Sequence, residues 1–367
     1  MTSRLPIQVS RGFVVAVITS SFLPLVVACG AEAASPDGGL DATNESDVSS
    51  CDAGMVTCTD GACPTVLAAC QGLPTTIVAD DANIYWTNLG TKVGGGGNIP
   101  PTFKGGSIAK CLKAGCNTMP SSLVSVTENF GATLATNGAD VYFSAIGTDA
   151  GTTQLFLCPV DGCASAISML NSAATALALD AANLYWTTGP EVLACALTNC
   201  VQPTTLWQDS TKQVTAFAID STNVYWGTSA GSGGMLMKCA KTGCGTTPFV
   251  VGSIVRVDAM ALDDTNVYAA GQVNTQSAIV KCAKTGCGTP TIIVPNFTSS
   301  ALATDGISVY WAAGGAIYKC PTSGCSVPSV FASDGLPTTQ TGTSIVLDST
   351  SVYWSDPATG RILMLSK

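Results

Sequence analysis

Histidine is absent from the 367 residues, and glutamate nearly so: Glu32, Glu45, Glu128 and Glu191 are all there are. The first absence removes Ser-His-Asp and Cys-His catalysis outright. The second leaves Glu128 and Glu191 as the pair that could work as acid and base, and nothing in their spacing supports that role. No enzymatic activity and no cofactor is expected. Cations are scarce too: 15 Lys and Arg face 24 Asp and Glu, and a net charge of −9 is the opposite of what a nucleic-acid surface needs. After residue 50 no stretch keeps a helical period of useful length. The one glycine run, 94–97, leads into Asn98-Ile99-Pro100-Pro101 rather than a helix, so it reads as an insertion and not as a phosphate loop.

What is present repeats. A turn-strand unit, D-x-x-[N/S]-[V/I/L]-Y-W, recurs at residues 80–86, 137–143, 180–186, 220–226, 263–269, 305–311 and 348–354. The period is about 40–43 residues, apart from a first interval lengthened by an insertion, and such periods mark solenoids, propellers or arrays. Each unit reads as four short strands; in the fourth these fall at 214–219, 223–228, 235–239 and 248–251. Four-stranded units repeated radially make a propeller. The fold class is therefore all-β, a seven-bladed β-propeller. The leading Asp shapes the turn between the first two strands by accepting a backbone N–H two residues on. The Tyr and Trp that follow are large flat rings expected to fill the gaps between blades. Trp207, outside the motif, sits where Phe331 sits in a later blade and is expected to be core.

Seventeen cysteines follow the same period. Seven C-x4-C pairs are expected to be disulfides, each closing the hairpin between the third and outer strands: Cys58–Cys63, Cys111–Cys116, Cys158–Cys163, Cys195–Cys200, Cys239–Cys244, Cys282–Cys287 and Cys320–Cys325. Cys51 and Cys70 bracket the first pair and are expected to bond to each other. Zinc is the competing reading, but there is no histidine and the pairs lie on different blades. The first pair precedes the first D-x-x-N-Y-W unit, while the last unit ends without one. A repeat split between the two ends closes a ring, with the N-terminal segment completing the last blade.

The strings Leu184-Tyr185-Trp186-Thr187 and Tyr353-Trp354-Ser355-Asp356, the latter followed by Arg361-Ile362, resemble the YWTD repeats of low-density-lipoprotein-receptor-type propellers. The resemblance runs from about residue 52 to the end. That family's propellers have six blades where seven are counted here, and only the last unit keeps the final Asp. It implies the fold; members of the family bind many unrelated proteins, so it implies no particular ligand.

At the N-terminus Arg4 and Arg11 precede an uncharged apolar stretch, 12–28, and then Cys29. This has the form of a signal peptide, too short for a comfortable membrane span. Val26-Val27-Ala28-Cys29 resembles a bacterial lipoprotein box, which implies cleavage after residue 28, lipidation of Cys29 and an oxidising compartment. Gly30 follows, so the aspartate retention signal is missing and the outer membrane or cell surface is expected. Residues 29–50, Ala-, Ser-, Gly- and acid-rich, read as a disordered tether. The propeller domain is assigned to 51–367.

Propeller topology sorts the loops. The Asp turns and cysteine hairpins emerge on one face, nearly identical from blade to blade. Lys110, Lys113, Lys238, Lys241, Lys281, Lys284 and Lys319 concentrate there and are expected to form a ring of positive charge, a solubilising edge rather than a docking site. The loops joining second to third strands, and each outer strand to the next blade, emerge on the opposite face and vary. Irregular loops on a rigid ring are where ligands are generally bound. Candidate binding residues are Lys92, Lys104, Asp149, Glu191, Asp209, Lys212, Arg256, Asp258, Asp334, Asp356 and Arg361. The function expected is non-catalytic binding of a protein or glycan by a monomeric, lipid-anchored envelope protein. A structural scaffold of the envelope is the alternative, and a carboxylate-dependent hydrolase or lyase a more distant one.

Overall fold

Tyr and Trp stand side by side in the repeat, and in an extended strand adjacent side chains leave on opposite faces. That alternation builds the molecule. A computed structural model describes residues 63–93, 102–116, 119–126, 130–146, 152–229, 233–244, 247–333 and 343–367. Among them are seven four-stranded antiparallel sheets and one two-stranded hairpin, and no helix. Blade 3 is representative: Ala176–Leu179, Asn183–Thr187, Glu191–Ala196 and Thr204–Gln208 run in order from the axis outward. In blade 4 the outer strand is Phe249–Ile254, beginning one residue later and running three further than its apolar letters suggest. Each blade carries a register shift between its third and outer strands, as at Val192/Leu193 and Ile279/Val280. Such a bulge adds twist and turns the outer edge away from further pairing.

The ring closes as expected. Ile345–Leu347, Ser351–Asp356 and Arg361–Ser366 supply the inner three strands of blade 7, and Thr65–Ala68 from the other end of the chain supplies the fourth. Residues 1–62, with the expected leader, Cys29, tether, Cys51 and Cys58, lie outside the described residues.

Apolar burial is divided into seven wedges, one at each blade junction. The Tyr of one blade meets the aromatic of the next: Tyr85 with Phe143, Tyr142 with Trp186, Tyr185 with Trp226, Tyr268 with Trp311, Tyr310 with Trp354, and Tyr353 with Trp86 across the closure. At the blade 4–5 junction the Trp position holds Ala269, and Met260, Val273 and Ile254 fill the space around Tyr225. Trp207 is buried against Trp226, ring centroids 5.3 Å apart, so its expected core role holds.

Six C-x4-C pairs are disulfides, with Cα atoms 5.1–5.9 Å apart, ordinary for the bond. Cys63 and Cys70 are each disulfide-bonded as well. A short loop of this kind contributes only about 2 kcal/mol through chain entropy, but the hairpin it closes also reaches across a junction. The backbone N–H of Cys163, Cys287 and Cys325 donates to Leu123, Val251 and Ile293 on the outer strand of the preceding blade, at 3.2, 2.9 and 2.9 Å. The disulfide thus holds a donor in place for its neighbour.

Because each wedge is shared, losing one aromatic should be felt as a core cavity rather than a surface change. Trp226→Ala is expected to cost about 3–5 kcal/mol, read as a lowered midpoint in denaturant unfolding; a loss below 1 kcal/mol would place Trp226 outside the cooperative core.

Candidate functional site

The uniform face is held by one repeated device. In blade 4, Asp220 Oδ1 accepts the backbone N–H of Thr222 at 2.9 Å and of Asn223 at 2.8 Å, the expected Asx turn. Its other oxygen accepts the Tyr225 hydroxyl at 2.8 Å and the Lys284 ammonium, from blade 5, at 2.9 Å. A carboxylate has about four lone-pair sites, and all are filled. The Tyr-to-Asp bond recurs in blades 1, 3, 5, 6 and 7 at 2.6–3.1 Å. The inter-blade ion pair recurs as Lys241–Asp180, Lys367–Asp305 and Lys113–Asp348, the last spanning the ring closure.

The second lysine position, just before the first cysteine, works in the other direction. Lys110, Lys238 and Lys281 donate to the backbone carbonyls of Val160, Lys284 and Thr322 in the next blade. Lys319 sits over the Tyr310 ring, 5.2 Å from its centroid. The expected solubilising ring of positive charge is therefore corrected. These ammonium groups are half-buried and, apart from Lys319, whose rings Tyr310 and Phe331 belong to its own blade, they are spent between blades on a carboxylate or a carbonyl. Blade 2 shows the rule by exception: Asn137 replaces the Asp, and both lysine positions around it hold leucine, Leu157 and Leu197. Both leucines pack in the wedge between blades 2 and 3.

Burial pushes the Asp220 carboxyl up, but Lys284, the turn N–H groups and the Tyr225 hydroxyl outweigh it and hold it well below the usual carboxylate range. In Asp348, burial is likewise outweighed, by the turn N–H groups and Lys113. Burial first, and then its bond to Asp348, pushes the Tyr353 phenol up to about 12.

The opposite face differs from blade to blade. The insertion in blade 1 is a hairpin, Thr91–Val93 with Thr102–Lys104, and it carries Lys92 and Lys104, both exposed. Asp209 pairs with Lys212 at 2.6 Å, and Arg256 grips Asp258 through Nε at 2.7 Å and Nη2 at 3.0 Å. Glu191 accepts the Thr188 hydroxyl at 2.9 Å. Arg361 opens the third strand of blade 7 opposite Asp356, a 7% exposed carboxylate. Asp149, Asp334, Glu128 and the glycine run 94–97 lie outside the described residues. Sequence reasoning grouped Asp209 with Lys212, and Arg256 with Asp258, on this face, but not as mutually neutralising pairs; their spacings of three and two residues were the available signal. Where Thr or Ser follows the Trp position, the hydroxyl is buried and bonded to the inner strand: Thr75–Thr87 at 2.8 Å, Thr133–Ser144 at 2.6 Å and Thr175–Thr187 at 2.8 Å. Between blades 6 and 7 this face has a cleft bordered by the Gly314-Gly315 turn, Ala332, Trp354 and Asp356, with about 50 Å³ open.

No family model matches the chain, and no curated protein does. Among solved structures it is similar to the Cps50 (Swd1) β-propeller domain of Myceliophteria thermophila, at 11% identity and a TM-score of 0.59, over 83% of this chain and 99% of that one. It is similar also to the computationally designed Ika8 protein, at 15% identity and a TM-score of 0.52, over 82% and 98%. A nidogen/laminin complex matches at 11% identity over 60% of this chain and 88% of that chain, with a TM-score of only 0.45. At these identities the likeness is one of fold.

The network on the uniform face sets a pH window. Carboxylates whose pKa is lowered on folding contribute stability above their unfolded value of about 4 and lose it as pH falls further. Phenols whose pKa is raised contribute below about 10 and lose it as pH rises. The melting temperature is expected to hold between about pH 5 and 9 and fall on both sides; a Tm unchanged down to pH 2 would show that these carboxyls titrate alike folded and unfolded.

Proposed function

We propose that this chain is a non-catalytic, exported lipoprotein, anchored through Cys29 in the outer membrane or at the cell surface, whose propeller offers its irregular loop face to a protein or glycan. One observation carries the reading: the turn face repeats the same side-chain bonds between blades, and the loop face differs in length and composition from blade to blade. The Lys-bearing side, the natural dock for a purely structural scaffold, has all but one of its ammonium groups committed to carboxylates, rings and carbonyls of neighbouring blades, which weighs against that alternative. Catalysis has little to work with in a chain without histidine.

Two measurements on the full chain in its own cell test the two halves of this reading. Cys29→Ser is expected to move the protein from the membrane pellet to the soluble fraction; retention in the pellet would remove the anchor. A photo-crosslinking residue at Lys92, Lys212 or Arg256 is expected to trap a partner, and one at Asp81 or Asp264 on the turn face none. The reverse pattern would place binding on the wrong side.

A further inference from the structure

We infer that the turn face of the ring lies on a lipid bilayer, and that the surface it fits is zwitterionic. This goes beyond the functional reading above by assigning the opposite face, and it rests on that reading for the membrane that holds Cys29. Ten large apolar side chains are exposed among the described residues, and every one lies at the turn-face end of its blade. Met119, Val201 and Val327 stand in cysteine hairpins and Ile307 in the Asp305 turn, 69–83% exposed. Phe249 and Val250 open the outer strand of blade 4, where it leaves its hairpin. The other four close a third strand or open an outer one beside the same kind of hairpin. No described loop-face connection carries one. Apolar residues scattered singly over a surface need no explanation; confinement of all of them to one end does. The four most exposed belong to none of the seven wedges between blades, so blade packing does not account for them.

The path of the chain points to the occupant. Thr65–Ala68 pairs antiparallel with Arg361–Ser366, Thr65 opposite Met364 and Ala68 opposite Ile362. Arg361–Ser366 runs from the loop face to the turn face, so Thr65 is at the turn-face end. The sequence leading back to Cys29 therefore departs from the face that carries the apolar rim. Residues 30–62 join Cys29 to Cys63 and can reach at most about 110 Å. That reach allows a ring held off the bilayer as well as one lying on it, and the apolar rim favours the second. A shared anchor makes docking intramolecular, so shallow and individually weak insertions suffice. Charge then selects the lipid. Lys113, Lys241, Lys284 and Lys367 are engaged by aspartates of neighbouring blades, while Asp81, Asp161 and Asp264 stand exposed on this face. Anionic lipids are held by clustered cations free to meet them. Apolar side chains entering an uncharged headgroup layer need no such cluster.

The test puts dansylalanine in place of Val201, of Val327 or, on the loop face, of Lys92 in the full chain, purified with its lipid. Each protein is reconstituted in phosphatidylcholine vesicles carrying a headgroup nitroxide, which quenches dansyl at the bilayer surface. Quenching at positions 201 and 327 is expected to exceed that at 92 by about threefold, and to fall when phosphatidylglycerol replaces part of the phosphatidylcholine. Met119→Ser with Ile307→Ser, both at exposed positions, should leave the melting temperature unchanged and cut the quenching at 327 by about half. Equal quenching on both faces, stronger quenching at 92, or no response to the serine pair would overturn the proposal. So would a doubled mass in solution with the 327 probe shielded without lipid, since a second copy would then cover the rim. The Cys29→Ser chain, given the same vesicles at higher concentration, is expected to keep the order of quenching. That order without membrane retention of the parent would leave the docking face standing while the anchor reading falls. Retention without that order would do the reverse.

Discussion

Everything in this ring depends on an aspartate being asked to do two things at once. One carboxylate oxygen closes the turn between the inner and second strands. The other receives, from the same blade, a tyrosine hydroxyl and, in blades 3, 4, 6 and 7, a lysine from the next blade. The tyrosine ring beneath is also the apolar wedge between those two blades. Turn geometry, strand position and blade-to-blade angle are therefore fixed by one residue and its partners. Seven of the chain's 15 cations (Lys110, Lys113, Lys238, Lys241, Lys281, Lys284 and Lys367) are used here. A protein this poor in charge has spent nearly half of its positive charge on internal joints, and its loop face is left with only Lys92 and Lys104 as exposed, unpaired ammonium groups among the described residues.

Much of this was legible in the residue string. The seven repeats, the split last blade, the Asx turn and the aromatic wedges follow from local chemistry and a period. The role of the lysines did not. Lys241 and Asp180 are 61 positions apart, and Lys113 meets Asp348 only because the ring closes. No window on the sequence contains both members of such a pair. The signal that could have found them was comparative and internal: in blade 2 the Asp becomes Asn137 and both lysine positions become leucine together. Lys367 was hidden for a further reason, since its blade lacks the cysteines that mark the other lysines and only the strand register aligns it with Lys113. The loop face was placed by topology alone, and its chemistry was misjudged where neighbouring opposite charges neutralise each other.

The two faces thus obey different constraints. Changing a turn-face residue breaks a contact that several partners share, so repetition there is a physical necessity. On the loop face inter-blade bonds are made by single backbone groups, as where Gly189 accepts the Val214 N–H and Gly360 the Gln71 N–H, and length and composition change from blade to blade, from the long insertion of blade 1 to the bare Gly314-Gly315 of blade 6.

The most direct measure of the central claim is amide hydrogen exchange at the seven turns, corrected for intrinsic rates. If the carboxylate network sets blade rigidity, protection should be greatest at the turns beginning at Asp180, Asp220, Asp305 and Asp348, each of which takes a lysine from the next blade, and least at 137–140, where Asn137 replaces the carboxylate. Equal protection at all seven turns, or blade 2 the most protected, would mean that the aromatic wedges hold the ring and the ionic network only decorates it.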